Sequence, residues 1–328
     1  MKKVSSNDAI QLLDEKGRLL RSFWSSEEQS EYNRERVSCI RCREWELYQL
    51  LGKNYVFRLL FGHAGGIGFC RAVFTDLKTG EYSISGPMKL FSGDGFFLEY
   101  GVMQNHHFFR DEAGFFLTLD YDGQFYRLRC HAEKYDVELM LPVMGDALIS
   151  AAPYRNRRQF FYAGRRIFSE LRGSVRFLGR SYSLQNAFVS AESCRAVLPR
   201  KSARVYCSAG QSVDGHTLSL LFGWGFGSAL AGLENAAFLD GKLIKLNRVR
   251  EERKGSFMSP SRFFTEDGVV ELCFTPRRDE LFAKDYRLVY LRSHCTVGTL
   301  SGSLKLPGEE AMQITAMPVL CEHSRFCF

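Results

Sequence analysis

The chain has 328 residues, 45% apolar and 25% charged, which is typical of a folded globular protein and excludes a disordered one. That length suits one large or two ordinary domains, with cores that need no disulfide bonds. The net charge of +7 is local, because residues 155–204 carry twelve basic and only two acidic residues.

The N-terminus shows no apolar core of a secretory signal. Residues 216–233 form an apolar run that is interrupted by glycines and serines and is too short to span a bilayer. These features predict a cytoplasmic protein without a membrane span. In that compartment the ten cysteines are expected to be free thiols.

In chain order, short strand-like pieces alternate with turn residues. They lie at 55–61, 69–74, 115–121, 124–130, 137–141, 269–274 and 286–292. Asp-Gly pairs recur between them, and Asp122-Gly123 predicts a type I′ hairpin. The best helix candidate, 159–171, is weakened by Gly164 and a run of aromatic residues. The pattern predicts an all-β protein built of antiparallel sandwiches or barrels, divided into residues 1–172 and 173–328.

A glycine-rich stretch, Gly223-Trp224-Gly225-Phe226-Gly227, has neither dinucleotide-binding nor phosphate-loop spacing. It predicts a kinked barrel strand, with direct ligand contact as the alternative. The polar pair Glu234-Asn235 follows it. A carboxylate there is either part of a structural ion pair or a functional group in a pocket.

Three further features leave alternatives open. His106 is either an acid/base group or a hydrogen-bonded core residue. The basic stretch 155–204 fits a solvated strand face or a mouth that attracts an anionic head group, and nucleic-acid binding is disfavoured. Cys39 and Cys42 have zinc-ribbon spacing, but the possible second group (Cys321, His323 and Cys327) is irregular, so no metal site is predicted.

The chain also resembles an uncharacterised, mostly bacterial family catalogued as a domain of unknown function. The resemblance rests on motifs in order along the chain: Gly17-Arg18-Leu19, Glu44-Trp45, residues 74–80, Gly223-x-Gly225-x-Gly227, Glu234-Asn235, Asp240-Gly241-Lys242 with Lys245, His294, and 298–302. The family usually carries Asp-Trp-Gly-Arg-Gly where this chain has residues 192–196, Glu-Ser-Cys-Arg-Ala. That departure implies altered or lost activity if the block forms the site.

The family is distantly similar to two-domain lipocalin-like (calycin) proteins such as hydroxyneurosporene-type carotenoid hydratases. The resemblance implies two consecutive antiparallel lipocalin-like barrels or half-open sandwiches, with few short helices. It favours a protein that binds an apolar or amphipathic small molecule, which would carry an anionic group if the basic segment contacts it. The alternatives are a cofactor-independent acid/base enzyme (hydratase or isomerase type) on a hydrophobic substrate, and a non-catalytic scaffold.

Candidate residues follow from these hypotheses, and no cofactor is expected. The acid/base candidates are Glu234, Glu192, His106, Arg195 and His294. The ligand-binding candidates are Trp224, Asn235, Lys245 and Trp45. The enzyme hypothesis requires at least two of the acid/base groups in one pocket.

Overall fold

The structure is a computed structural model that describes residues 10–90, 96, 98, 100–102, 107–110, 114–213, 215–227, 233–285 and 290–327. Its described residues form strands and one 3-10 turn, Arg34–Arg36, with three antiparallel sheets and a small parallel pair. The all-β, antiparallel prediction is therefore confirmed. Among these residues no helix has the length and apolar character needed to cross a bilayer.

The chain divides into two compact units. The first contains Met1–Ala151 and Asn156–Val197, and the second contains Ala152–Arg155 and Leu198–Phe328. The sequence placed the division after residue 172. Three strands beyond that point (172–177, 180–182 and 188–197) pair with strands of the first unit, which moves the division past Val197.

The described residues of the first unit form seventeen strands. They are β1 (Ile10–Gln11), β2 (Phe23–Ser25), β3 (Ser30–Glu31), β4 (Arg43–Leu51), β5 (Tyr55–Ala64), β6 (Ile67–Asp76), β7 (Tyr82–Ser85), β8 (Met88–Leu90), β9 (His107–Arg110), β10 (Phe116–Tyr121), β11 (Phe125–Ala132), β12 (Tyr135–Pro142), β13 (Leu148–Pro153), β14 (Phe160–Phe168), β15 (Arg172–Phe177), β16 (Arg180–Tyr182) and β17 (Phe188–Val197). One sheet has the order β2-β13-β14-β17-β4-β5-β6-β7, with β8 also paired to β6, and the other has the order β16-β15-β12-β11-β10-β9.

An aromatic-rich core fills the first unit. Phe57 and Phe74 from the nine-stranded sheet pack against Tyr135 and Phe177 from the six-stranded sheet, and Tyr55 packs against Tyr182. The best helix candidate, 159–171, is not helical, because strand β14 occupies most of it and the buried run Phe160–Arg165 lies in the middle of the sheet. Burial on both faces of a strand removes the alternation by which a strand is usually recognised.

In the part of the second unit that the structure describes there are the nine remaining strands. They are β18 (Lys201–Val213), β19 (His216–Trp224), β20 (Ala236–Leu239), β21 (Lys242–Lys245), β22 (Val249–Arg253), β23 (Ser261–Thr265), β24 (Val270–Asp285), β25 (Tyr290–Leu304) and β26 (Met312–Cys327). Consecutive strands pair antiparallel except β21 and β22, and β18 also pairs with β26. The order is therefore that of an up-and-down barrel with one unpaired seam, between β21 and β22.

Gly225 directly follows strand β19, and its backbone position leaves no room for a side chain. Its φ is +102°, and a Cβ atom there would lie 2.3 Å from the carbonyl oxygen of Ala203. The glycine-rich stretch thus ends strand β19, and the predicted kink within a continuing strand is wrong. Gly223 lies within β19, where its amide donates to Asn235 Oδ1 at 2.9 Å.

We expect Gly225→Ala to lower the free energy of unfolding by about 3 kcal/mol, since it adds a backbone clash to an unfavourable φ. Urea denaturation measures the change. The matched control is Gly268→Ala, where φ is +72° but no atom lies within 4 Å of the added Cβ. Gly268→Ala should lower the free energy of unfolding only by the cost of the unfavourable φ, about 1 kcal/mol. Equal losses in the two variants would contradict a clash at Gly225.

Candidate functional site

A cleft of about 320 Å³ opens in the second unit. Its lining comes from strands β18, β19, β25 and β26 and from the segment between β22 and β23. The lining residues are Ala203, Arg204, Val205, Trp224, Gly225, Phe257, Arg292, His294, His323, Ser324 and Arg325.

Strand register places the two cleft histidines side by side. His294 on β25 lies directly opposite His323 on β26, and Arg292 lies opposite Arg325. Residues directly opposite in an antiparallel pair share a face, with Cβ atoms about 5 Å apart. The same face continues into the apolar core through Cys321 and Cys207. The cleft is therefore the polar end of the barrel interior.

Each cleft histidine is paired with a carboxylate. His294 Nδ1 lies 2.7 Å from Asp279 Oδ2, and Thr296 Oγ1 donates to Asp279 Oδ1 at 3.3 Å. His323 Nε2 lies 2.7 Å from Glu251 Oε2. A carboxylate partner fixes the proton on the nitrogen that faces it, which leaves the other nitrogen of a neutral ring as an acceptor.

Glu251 remains ionised within this arrangement. Burial alone would raise its pKa, but the hydrogen bond from His323 and the charges of His323 and Arg253 outweigh burial and lower it. Arg253 also forms an ion pair with Glu251. The carboxylate is therefore a fixed negative partner for His323.

An aromatic ring covers both histidines. The Phe257 ring centroid lies 3.8 Å from that of His294, with the two planes 17° apart, and 5.1 Å from that of His323. The guanidinium of Arg253 lies 4.6 Å from the same ring. Phe257 thus shields one side of the polar groups from water.

The charge of the cleft lining is positive. Arg204, Arg292 and Arg325 contribute to it, and among the described lining residues none is acidic. Arg204 is the most buried of the three, with its guanidinium 4.6 Å from the ring of Tyr206 and 4.9 Å from that of Phe226. Arg292 and Arg325 are exposed to solvent. The lining is therefore suited to an anionic group.

Two of the predicted residues meet in this cleft, namely His294 and Trp224. Asn235 and Lys245 are absent from the described lining and make structural contacts. Lys245 Nζ donates to the backbone oxygens of Asn235 and Leu246 at 2.7 and 2.6 Å. Burial lowers its pKa to about 8, against the opposing effect of the nearby Glu234 charge. Glu234 is buried too, with its Cβ 2.8 Å from the place where a side chain at Gly223 would begin.

Glu192 and Arg195 belong to the first unit, on strand β17. Glu192 accepts hydrogen bonds from Arg165 Nε at 2.6 Å and from Trp45 Nε1 at 2.9 Å. Arg195 lies three residues further along, so its side chain points to the opposite face. There it donates to Ser193 Oγ at 2.9 Å. The two candidates therefore cannot share one pocket. The remaining candidate, His106, lies outside the described residues.

Glu44 is the centre of the network on Arg195's face of the sheet. Arg34 donates to both of its oxygens, at 2.8 and 2.6 Å, and His63 Nε2 lies 3.2 Å from it. Burial opposes ionisation, yet His63, Arg34 and the charge of Arg195 lower the pKa of Glu44 to about 2. Cys42 Sγ donates to the same carboxylate at 3.2 Å.

Cys42, Glu44 and His63 bring ligand atoms of three types within 4.8 Å of one another. Sequence reasoning had considered Cys39 with Cys42, but Cys39 is exposed and Cys42 contacts Tyr32 and Glu44 instead. Arg34 already occupies both oxygens of Glu44. Burial raises the pKa of the Cys42 thiol to about 12, so it is protonated at neutral pH. These contacts fit an arginine–carboxylate pair better than a bound cation.

The basic segment does not form one surface. Arg165 and Arg195 are fully buried, whereas Arg172, Arg176 and Arg180 are exposed on two strands of the six-stranded sheet. Arg180 is neutralised by Glu81 at 2.8 Å. The positive residues of this segment are thus dispersed between the core and separate faces.

Sequence reasoning missed Asp279, Glu251 and Phe257, and it considered His323 only as a metal ligand. Their relation depends on the pairing of long strands that are far apart in sequence. The one available signal is the alternation in 290–296, which places Arg292, His294 and Thr296 on a single face.

Comparisons with known proteins agree with this fold. A family model described as "Domain of unknown function (DUF2804)" matches residues 3–327. The crystal structure of CghA is similar with a TM-score of 0.50 and 10% identity, covering 97% of this chain and 96% of that one. A protein provisionally named AttH, from Nitrosomonas europaea, has a TM-score of 0.49 and 16% identity, covering 90% and 96%. A search of curated proteins found no match.

Proposed function

The chain belongs to the DUF2804 family, a domain of unknown function, and since membership alone assigns no ligand, we propose that it binds an amphipathic small molecule with an anionic group in the cleft of the second unit. The observation that carries this proposal is the shared face described above. Apolar core residues, Trp224, two histidines and two arginines follow one another on that face. Such a gradient matches a molecule with an apolar body and a charged head.

The fold supports the same conclusion. The likeness to CghA extends over nearly the whole of both chains and shows the architecture only. Small antiparallel barrels commonly hold one ligand in their mouth or interior. A cleft of about 320 Å³ is at the lower end of the sizes seen for small-molecule pockets. We therefore expect a ligand with a short apolar chain or a single ring system.

The test compares octanoate with 1-octanol, which share a chain and differ in the charged head. We expect octanoate to bind about fivefold more tightly, because the arginines contribute on the order of 1 kcal/mol at a partly solvated site. Arg325→Gln should remove most of that preference. Isothermal titration calorimetry measures both affinities.

The matched control is Arg129→Gln, which changes an exposed arginine of the first unit that pairs with Glu138 at 3.7 Å. It should leave both affinities unchanged. Equal affinity for octanoate and octanol, or a preference that survives Arg325→Gln, would contradict the proposal.

A further inference from the structure

The two histidine–carboxylate pairs give the cleft a chemical capacity beyond binding. We propose that His294 acts as a general base there, removing a proton from carbon in a bound amphipathic carbon acid whose C–H is adjacent to a carbonyl group. The inference rests on the proposed function, because the same cleft must hold the substrate. It assigns that substrate a class, an anionic amphiphile with an acidified C–H.

The geometry of His294 is that of an oriented base. Asp279 accepts from Nδ1, and Thr296 in turn holds Asp279. Nε2 has no hydrogen-bond partner among the residues that the structure describes, and the imidazole lines the cleft. A carboxylate placed in this way selects the tautomer whose Nε2 lone pair is available, and it stabilises the imidazolium that forms after proton transfer.

His323 lies directly across the strand pair, where Arg253 also approaches its Nε2 at 3.2 Å. Glu251 lies within hydrogen-bond distance of His323 Nε2. The other ring nitrogen of His323, Nδ1, is buried without a hydrogen-bond partner in the described part of the chain. His294 is therefore the group that takes a proton from one carbon and returns it to another. The net reaction is then an isomerisation that consumes no co-reactant.

In that step the proton moves from carbon to His294 Nε2, and the C–H electron pair passes into the adjacent carbonyl, which becomes an enolate. Arg292 and Arg325 are on the same face and supply positive charge for the enolate oxygen. When the substrate carries a C=C bond β,γ to that carbonyl, the enolate is a dienolate. The His294 imidazolium then returns its proton to the γ carbon, which restores the carbonyl, moves the C=C bond into conjugation and leaves His294 neutral.

Pairing with a carboxylate does not by itself define a site, as another histidine of this unit shows. His216 Nδ1 also lies 2.7 Å from a carboxylate, that of Asp240, but both side chains are 55% exposed. The side chains of His294 and Asp279 are 20% and 18% exposed, and the His294 ring stacks on Phe257. Partial exclusion of water is what strengthens a base and its electrostatic partners. His216 therefore serves as the matched control.

The experiment uses 5-nitrobenzisoxazole, a small carbon acid that reports on any positioned base. The base takes the C3 proton, the C–H electrons form a nitrile, and the N–O bond breaks to release a coloured cyanophenolate. We expect turnover by the full chain above the buffer rate, a drop of about 100-fold in His294→Asn, and no change in His216→Asn. The asparagine amide nitrogen keeps the contact with Asp279 and removes Nε2.

Asp279→Asn tests the positioning role. It should lower kcat while KM stays the same, since the carboxylate contacts only His294 and Thr296 among the described residues. Octanoate should inhibit the wild-type reaction competitively if the base and the anion site share one cleft. Circular dichroism checks that each variant is folded.

The two proposals fail in different ways. Full turnover in His294→Asn, or wild-type turnover no faster than buffer, overturns the general-base role even if octanoate binds. Turnover that depends on His294 without octanoate binding or inhibition supports the base and overturns the anionic amphiphile as its substrate. Zinc binding that requires both His294 and His323 would assign these residues to a metal site and overturn the inference.

Discussion

Arg165→Met is expected to lower the free energy of unfolding of the first unit by about 3–5 kcal/mol, because it leaves the Glu192 carboxylate buried without its cation. The Arg165 and Glu192 side chains are both 0% exposed and form a direct cross-strand pair. Trp45 would remain as a neutral donor to Glu192. Changing both partners, as Arg165→Met with Glu192→Leu, should recover most of the loss, since no buried charge then remains.

Urea denaturation followed by Trp45 fluorescence measures this effect, in a chain where Trp24 and Trp224 are replaced by phenylalanine. The control is Arg129→Met. Arg129 and Glu138 are also direct cross-strand partners, but they are 61% and 52% exposed. That change should cost less than about 1 kcal/mol. A similar loss in the two variants would show that burial does not determine the strength of these pairs.

Glu44 is expected to make the first unit sensitive to acid. Its pKa in the folded chain is about 2, against an ordinary value of 4.5. Its ionisation therefore contributes stability that is fully present above about pH 4.5 and is lost as the pH falls towards about 2. The difference in pKa corresponds to about 3 kcal/mol.

The measurement is the free energy of unfolding of wild type and Glu44→Gln between pH 7 and pH 2. The glutamine variant should be less stable than wild type at neutral pH. The difference between their free energies of unfolding should narrow by about 3 kcal/mol as the pH is lowered. Glu138→Gln, at an exposed position, should follow wild type throughout. A gap that stays constant with pH would mean that Glu44 is not ionised in the folded chain.

The hairpin turns were the part of the fold that could be predicted best from the sequence. Asp240 and Gly241 have φ of +50° and +79° and connect β20 to β21, as an Asp-Gly hairpin requires. Asp122-Gly123 also connects two strands, but Asp122 does not adopt a positive φ. Its carboxylate instead accepts the amides of Gln124 and Phe125, at 2.9 and 2.8 Å. The hairpin was predictable, whereas the turn type depended on a side-chain contact.

The cleft was less predictable, because it depends on which strands become neighbours. His294 and Trp224 could be named from the sequence as candidates. Asp279 and Glu251 could not be assigned to their histidines, since each pair joins different strands of the barrel. The family resemblance predicted from sequence motifs is confirmed. The motif residues Asn235 and Lys245 are nonetheless found holding backbone groups.

The buried networks of Glu192 and Arg195 affect how strand β17 aligns with its neighbouring strands. All ten of its residues are buried, so the apolar pattern does not distinguish one face from the other. A shift of one residue would exchange the faces of Glu192 and Arg195 and separate both from their partners on β4 and β14. The buried charges therefore specify the register of β17. In the observed register no buried charge is isolated, whereas a register shifted by one residue would isolate one and is excluded.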